Sequence, residues 1–227
     1  MQRQSLWLKL AAVATAAAGA SSAHAQFDEH RVNLRVGATL IAPNVDSGSL
    51  SSPSLPGTKI GISNAKQLTG GINYAVTDNI SIDIPLGLPF KFKVDGKGAI
   101  GGVGEIGTVK ALPVTLLAQY RFGTPTSIVR PYVGVGTTYA RFFKARGNAT
   151  LSGLTGGTPA NPTTLSMDNA WGASGQLGLQ VPIDKNWSID LNAIYVKLKT
   201  TGHLSTGQSI STRLDPVAVS ASVGYQF

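Results

Sequence analysis

The chain has 227 residues, 19 Lys and Arg against 11 Asp and Glu, and a formal charge of +8. It contains no cysteine, which excludes a disulfide scaffold and thiolate metal sites. With 27 glycines and only 13% charged residues, the composition suits tightly turning strands better than helices.

Residues 1–25 read as a cleaved secretory signal. Arg3 and Lys9 give a positive start, an Ala-rich apolar run extends from Leu10 to Ala20, and Ala23-His24-Ala25 is a small-x-small cleavage pattern before Gln26. The run is too short for a spanning helix, which takes about 20 residues, and no later segment is longer. An exported chain that enters a membrane without such a helix must do so as a closed barrel, because hydrocarbon offers no partner to an unpaired amide. Residues 26–227 are long enough for one such domain.

Segments alternating between apolar and polar positions then follow in order. Arg31 to Ile41 sets Val32, Leu34, Val36 and Leu40 against Asn33, Arg35 and Thr39. Lys66 to Val76 presents Leu68, Ile72, Tyr74 and Val76, and after the turn Thr77-Asp78-Asn79, Ile80 to Phe90 presents every even residue against Ser81 and Asp83. Thr108 to Phe122 opposes Leu112, Val114, Leu116, Tyr120 and Phe122 to Thr115, Gln119 and Arg121. Ile128 to Lys144, Asn169 to Ile183, Trp187 to Lys199 and Leu214 to Phe227 complete the set. The last of these runs off the chain on Tyr225 and Phe227, as a closing barrel strand does.

The connections alternate in length. Residues 77–79, 123–127 and 184–186 are tight; residues 42–65, 91–107, 145–168 and 200–213 are long. This asymmetry predicts an all-β fold: an eight-stranded antiparallel transmembrane β-barrel with short periplasmic turns and four longer outer loops, in the bacterial outer membrane. A soluble β-sandwich would alternate in polarity too, but nothing in it forces the loops to alternate in length. Trp187, Tyr225 and Phe227 are expected in a periplasmic aromatic girdle, and Phe90, Phe142 and Phe143 in an outer one.

The interior is expected to change character with height. Ser188, Asp190 and Asn192 give way on the same face to Ile194, Val196 and Leu198, and Leu117 joins them by parity. These four apolar residues either line a greasy channel closed below or merely plug a narrow bore. Pro85, Pro89 and Pro113 lack the amide a ladder needs, so they mark either a lateral exit or a tolerated bulge. Leu50, Leu55, Leu154 and Met167 in the outer loops either form an apolar mouth or pack for stability.

Catalysis is not expected. After cleavage only His30 and His203 remain; His203 lies beside Ser205 with no acidic residue in its loop before Asp215, and no histidine–carboxylate cluster or metal-ligand spacing is visible. No cofactor is implied. The basic balance suggests lipopolysaccharide and outer-membrane lipids as neighbours; the signal and the lack of a basic helix argue against nucleic acid.

The stretches Arg35-Val36-Gly37-Ala38-Thr39, Thr77-Asp78-Asn79-Ile80-Ser81, Leu88-Pro89-Phe90-Lys91, Leu112-Pro113-Val114-Thr115-Leu116, Arg130-Pro131-Tyr132-Val133-Gly134 and Gly224-Tyr225-Gln226-Phe227 together resemble the OmpW family of small outer-membrane barrels. That resemblance implies passive uptake of small hydrophobic molecules through a narrow apolar bore, with sideways release into the membrane in some relatives. It also implies delivery to the barrel-assembly machinery through the terminal Phe227. The outer loops do not carry the resemblance, and a structural or surface-receptor barrel without transport remains the alternative.

Overall fold

The computed structural model describes residues 31–227; the expected signal and His30 lie outside the described residues. In chain order the elements are β1 (Val32–Ala42), β2 (Asp46–Ser47), β3 (Thr58–Ile62), β4 (Ala65–Ala75), β5 (Ile80–Gly87), β6 (Phe90–Gly98), β7 (Glu105–Arg121) and β8 (Arg130–Gly147). There follow the short helix α1 (Ala149–Thr155), then β9 (Leu165–Met167), β10 (Ala170–Pro182), β11 (Trp187–Lys197), β12 (Lys199–Leu204), β13 (Ser209–Arg213) and β14 (Val217–Gln226).

Eight antiparallel staves close into a barrel in the order β1-β4-β5-β7-β8-β10-β11-β14, with β6 continuing the β5 stave upward. Closure is made by β1 on β14, in unbroken register from Asn33↔Gln226 to Ala42↔Val217. Alternation then sorts the side chains. Leu34, Val36, Leu40, Ile82, Val114, Leu116, Val135, Leu177, Leu191 and Val219 are exposed on the outside, whereas Asn33, Arg35, Asn73, Asp83, Gln119, Gln176 and Asp190 are buried in the bore. An outer face this apolar is stable only against lipid.

The tight turns take the expected places, and the long connections are more ordered than a loop. Residues 91–107 are largely strand: β6 and β7 continue upward as a hairpin, with β3 added along β6. β12 and β13 form a second hairpin over residues 200–213, joined to β9 on one side and β2 on the other as a four-stranded outer sheet. Helix α1 is capped by the Asn148 side chain, which accepts from the Leu151 amide at 3.0 Å, and it ends on Gly156 in the left-handed region.

The outer girdle is a correction. Phe90 is buried and Phe142 is half-buried within the apolar core, not at the lipid boundary. The cause is the break at Leu88-Pro89, which shifts the phase so that Phe90, Phe92 and Val94 turn inward where Ile80, Ile82 and Leu86 faced outward. On the outer half, the exposed Trp171 packs against Tyr139 with ring centres 4.9 Å apart and planes tilted by 43°. The periplasmic girdle contains the expected Trp187, Tyr225 and Phe227, in successive edge-on contacts at 5.0 and 4.8 Å.

Candidate functional site

The bore is closed at mid-height by a polar floor to which staves all round the barrel contribute. Arg35 on β1 donates from Nη2 to Asp83 Oδ1 on β5 at 2.5 Å and from Nη1 to Asp190 Oδ1 on β11 at 3.0 Å. Tyr132 on β8 donates its hydroxyl to Asp190 Oδ2 at 2.9 Å, and Asn192 donates to Asp190 Oδ1 at 2.8 Å. Asn73 on β4 donates to Gln119 Oε1 on β7 at 2.8 Å, and Gln119 donates to Gln176 on β10 at 2.7 Å. Tyr132 reaches Asp190 because Gly178 lies beneath it; a Cβ there would stand 2.2 Å from the ring. Linked charges and amides therefore fill the bore at this level.

Above the floor runs a belt of hydroxyls, Thr115–Thr138 at 2.8 Å and Thr138–Ser174 at 2.7 Å, and above that the bore is apolar. Ile194, Val196 and Leu198 line a cavity of about 130 Å³ together with Ile41, Phe92 and Phe142. Leu117 is fully buried and packs in the same apolar cluster, but it does not line this cavity.

The barrel wall is unpaired at one seam. β5 pairs with β7 only from Ile80↔Tyr120 to Asp83↔Leu117, and pairing resumes above with Phe90↔Ala111 on β6. Between these, residues 84–89 and 112–116 face each other with no ladder, while β4 still pairs with β5 as far as Thr69↔Gly87. Pro85 stands on one bank and Pro113 on the other, and both line the cavity along with the exposed Leu86. The cavity lining therefore extends from the lumenal wall to the unpaired seam. Pro89 sits at the break itself, where its carbonyl accepts from Gln67 at 3.4 Å, and it does not line the cavity.

Leu50, Leu55, Leu154 and Met167 are brought together. They line a second apolar cavity of about 70 Å³ under the outer sheet, with Ile60, Ile100, Ile106, Leu204 and Ile210. Ile62 lines both cavities and separates them. In sequence Ile62 stands with Ile60 among the apolar residues of the first outer loop; in the structure it ends the short strand β3.

His203 is placed differently from the sequence expectation. Pairing of β12 with β9 brings its Nε2 to 3.0 Å from Asp168 Oδ2, a histidine–carboxylate pair that linear spacing hides. Both side chains are exposed, and Ser205 Oγ accepts from the Thr164 amide. No group of three or more metal-ligating side chains occurs among the described residues.

A closed barrel with a lipid-compatible outer face, a polar floor and an apolar outer bore defines a small bacterial outer-membrane barrel protein. The family model for the OmpW family matches residues 28–227, and the chain belongs to that family. Outer membrane protein W of Escherichia coli (strain K12) is 33% identical over 219 residues, 95% of this chain and 96% of the relative. Outer membrane protein W of Salmonella typhi is 39% identical over 171 residues, covering 73% and 75%. Dibenzothiophene metabolism operon protein PahQ of Pseudomonas aeruginosa is 27% identical over 204 residues, covering 88% and 90%.

Among solved structures, the crystal structure of OprG from Pseudomonas aeruginosa shares the fold with a TM-score of 0.77 at 23% identity, covering 88% of this chain and 96% of that one. The solid-state NMR structure of outer membrane protein AlkL in lipid bilayers gives 0.64 at 26% identity, covering 92% and 94%.

Proposed function

We propose that this barrel is a passive, non-catalytic conduit that takes small hydrophobic molecules across the lipopolysaccharide surface and releases them sideways into the outer membrane. The observation that carries the reading is a single apolar cavity running from Ile194, Val196 and Leu198 to the unpaired seam at Pro85 and Pro113, above a hydrogen-bonded floor. A solute would collect among Leu50, Leu55, Leu154 and Met167, pass Ile62, and leave between the proline-bearing banks. Leu117 supports the wall of this route from below.

Size narrows the class. A cavity of about 130 Å³ is close to the roughly 150 Å³ that holds benzene in an engineered protein core, which sets the size class as small aromatic hydrocarbons. PahQ is named for a dibenzothiophene metabolism operon, and dibenzothiophene is an aromatic sulfur heterocycle, which agrees with that class. Delivery through the terminal Phe227 to the barrel-assembly machinery belongs to the same reading.

The test is flux of naphthalene and of a charged solute of similar size into liposomes bearing the purified barrel. Naphthalene alone should be accelerated, and Pro85→Val with Pro113→Val should slow it several-fold at equal barrel density. Equal naphthalene flux with and without protein would instead favour a structural or receptor barrel.

A further inference from the structure

We infer that the periplasmic mouth of the bore is a binding site for a small soluble oxyanion of the phosphate or carboxylate class. Beneath the floor lies a separate polar cavity of about 440 Å³ whose lining includes Arg31, Arg121, Arg130 and Lys185 against Asp78 and Asp184. Cations therefore outnumber carboxylates in a recess walled by low-dielectric protein, where a potential is focused instead of screened.

The two central arginines are the decisive feature. Arg121 is 7% exposed and Arg130 is 8% exposed, and the Nε of each is buried without a hydrogen-bond partner. Arg121 makes one long hydrogen bond, to Gln119 Oε1 at 3.4 Å, and lies 5.8 Å from the centre of the Tyr132 ring. Arg130 donates to the backbone carbonyl of Asp78 at 2.5 Å. Among the described residues neither has a carboxylate within ion-pair distance, whereas Arg35 one layer higher has two. Of the two acids at the mouth, Asp184 is already engaged by the amides of Asn186 and Trp187, and Asp78 stays exposed in its turn.

Two buried guanidinium groups without an ion-pair partner among the described residues are costly, and an entering anion reduces that cost. Their planar forks match an oxyanion better than a spherical ion such as chloride. A lipid headgroup is the less suitable source. Tyr120 and Phe122, flanking Arg121, are exposed on the outside of the barrel, so Arg121 faces the bore and not the surrounding leaflet. The chain's own Asp28 and Glu29, shortly before Arg31 in sequence, are the other source of carboxylate and form one arm of the test.

The experiment titrates inorganic phosphate into the folded barrel in zwitterionic nanodiscs, at constant ionic strength set with chloride, by calorimetry and by the arginine Nε–Hε resonances. Saturable binding at one site is expected, with the Arg121 and Arg130 resonances shifting. Arg121→Gln and Arg130→Gln should each weaken it at least tenfold, Arg121→Lys less so, and Arg213→Gln on the outer sheet not at all. Heat-modified gel mobility reports that each variant is folded, and Arg121→Lys keeps the test alive if a glutamine variant is not. Non-saturable binding, or binding unchanged in both Arg121→Gln and Arg130→Gln, would overturn the assignment. So would phosphate binding that appears only after Asp28→Asn and Glu29→Gln, which would give the site to the chain's own carboxylates. Apolar uptake is untouched by any of these results.

Discussion

Replacing Arg35 by leucine removes both charge-assisted hydrogen bonds of the floor and strands two carboxylates, Asp83 and Asp190, whose side chains are 0% and 1% exposed. Breaking a buried ion pair by deleting one partner costs about 3–5 kcal/mol, because the charge left behind has neither water nor a counter-ion. At about 1.4 kcal/mol per tenfold, the folding equilibrium should fall by roughly two to three and a half decades. Asp190 keeps Tyr132 and Asn192 as donors and Asp83 keeps a weak bond from Asn73, so the lower end of that range is the better expectation. Urea unfolding in lipid vesicles, followed by tryptophan fluorescence, measures the loss. The combined change Arg35→Leu, Asp83→Asn and Asp190→Asn should recover most of it, since no carboxylate is then left buried without its partner. If Arg35→Leu alone stays within about 0.5 kcal/mol of the parent, the span reserved for unremarkable substitutions, the floor is not held by this pairing.

Further consequences follow from the same geometry. Gly178→Ala should push the Tyr132 ring off Asp190 and destabilise the barrel by about 1–3 kcal/mol, the usual cost of overpacking, with a raised ion conductance across planar bilayers as the second readout. Ile194→Asp puts a charge in the apolar half of the bore and should abolish most naphthalene flux while leaving the outer face unchanged. In the periplasmic turn, amide donation from Trp187 and Asn186 holds the Asp184 carboxyl below its ordinary value. Its folded pKa is depressed, so the stabilisation is present above the unfolded pKa and lost as pH falls through the folded one. The stability gap between the parent and Asp184→Ala should therefore close on acidification, as urea midpoints at successive pH values would show.

Much of this was legible because barrel strands obey a strict period of two. The inward series Ser188, Asp190, Asn192, Ile194, Val196 and Leu198 lies in the bore in the order its parity dictates. What parity cannot supply is distance between strands. Arg35, Asp83 and Asp190 are each recognisable as inward, but their meeting depends on register across residues 48 and 155 positions apart. The same limit hid His203 beside Asp168 until β9 and β12 were paired. Phe90 was misplaced for a local reason: two irregular residues at Leu88-Pro89 reverse the faces, and a period carried through a proline carries the error with it. The outer sheet read as loop because its strands are short and rich in Gly, Ser and Thr, which favour turns unless tertiary pairing overrides them.

The role of the apolar bore is tested most directly by locating a solute in it. With methyl-labelled barrel in nanodiscs and naphthalene as the probe, intermolecular NOEs should reach the methyls of Ile194, Val196 and Ile62, and Ile194→Asp should remove them. Contacts confined to outward leucines such as Leu116 and Leu191, which bulk lipid also touches, would mean that the solute never occupies the bore and that passage through it is not what this barrel does.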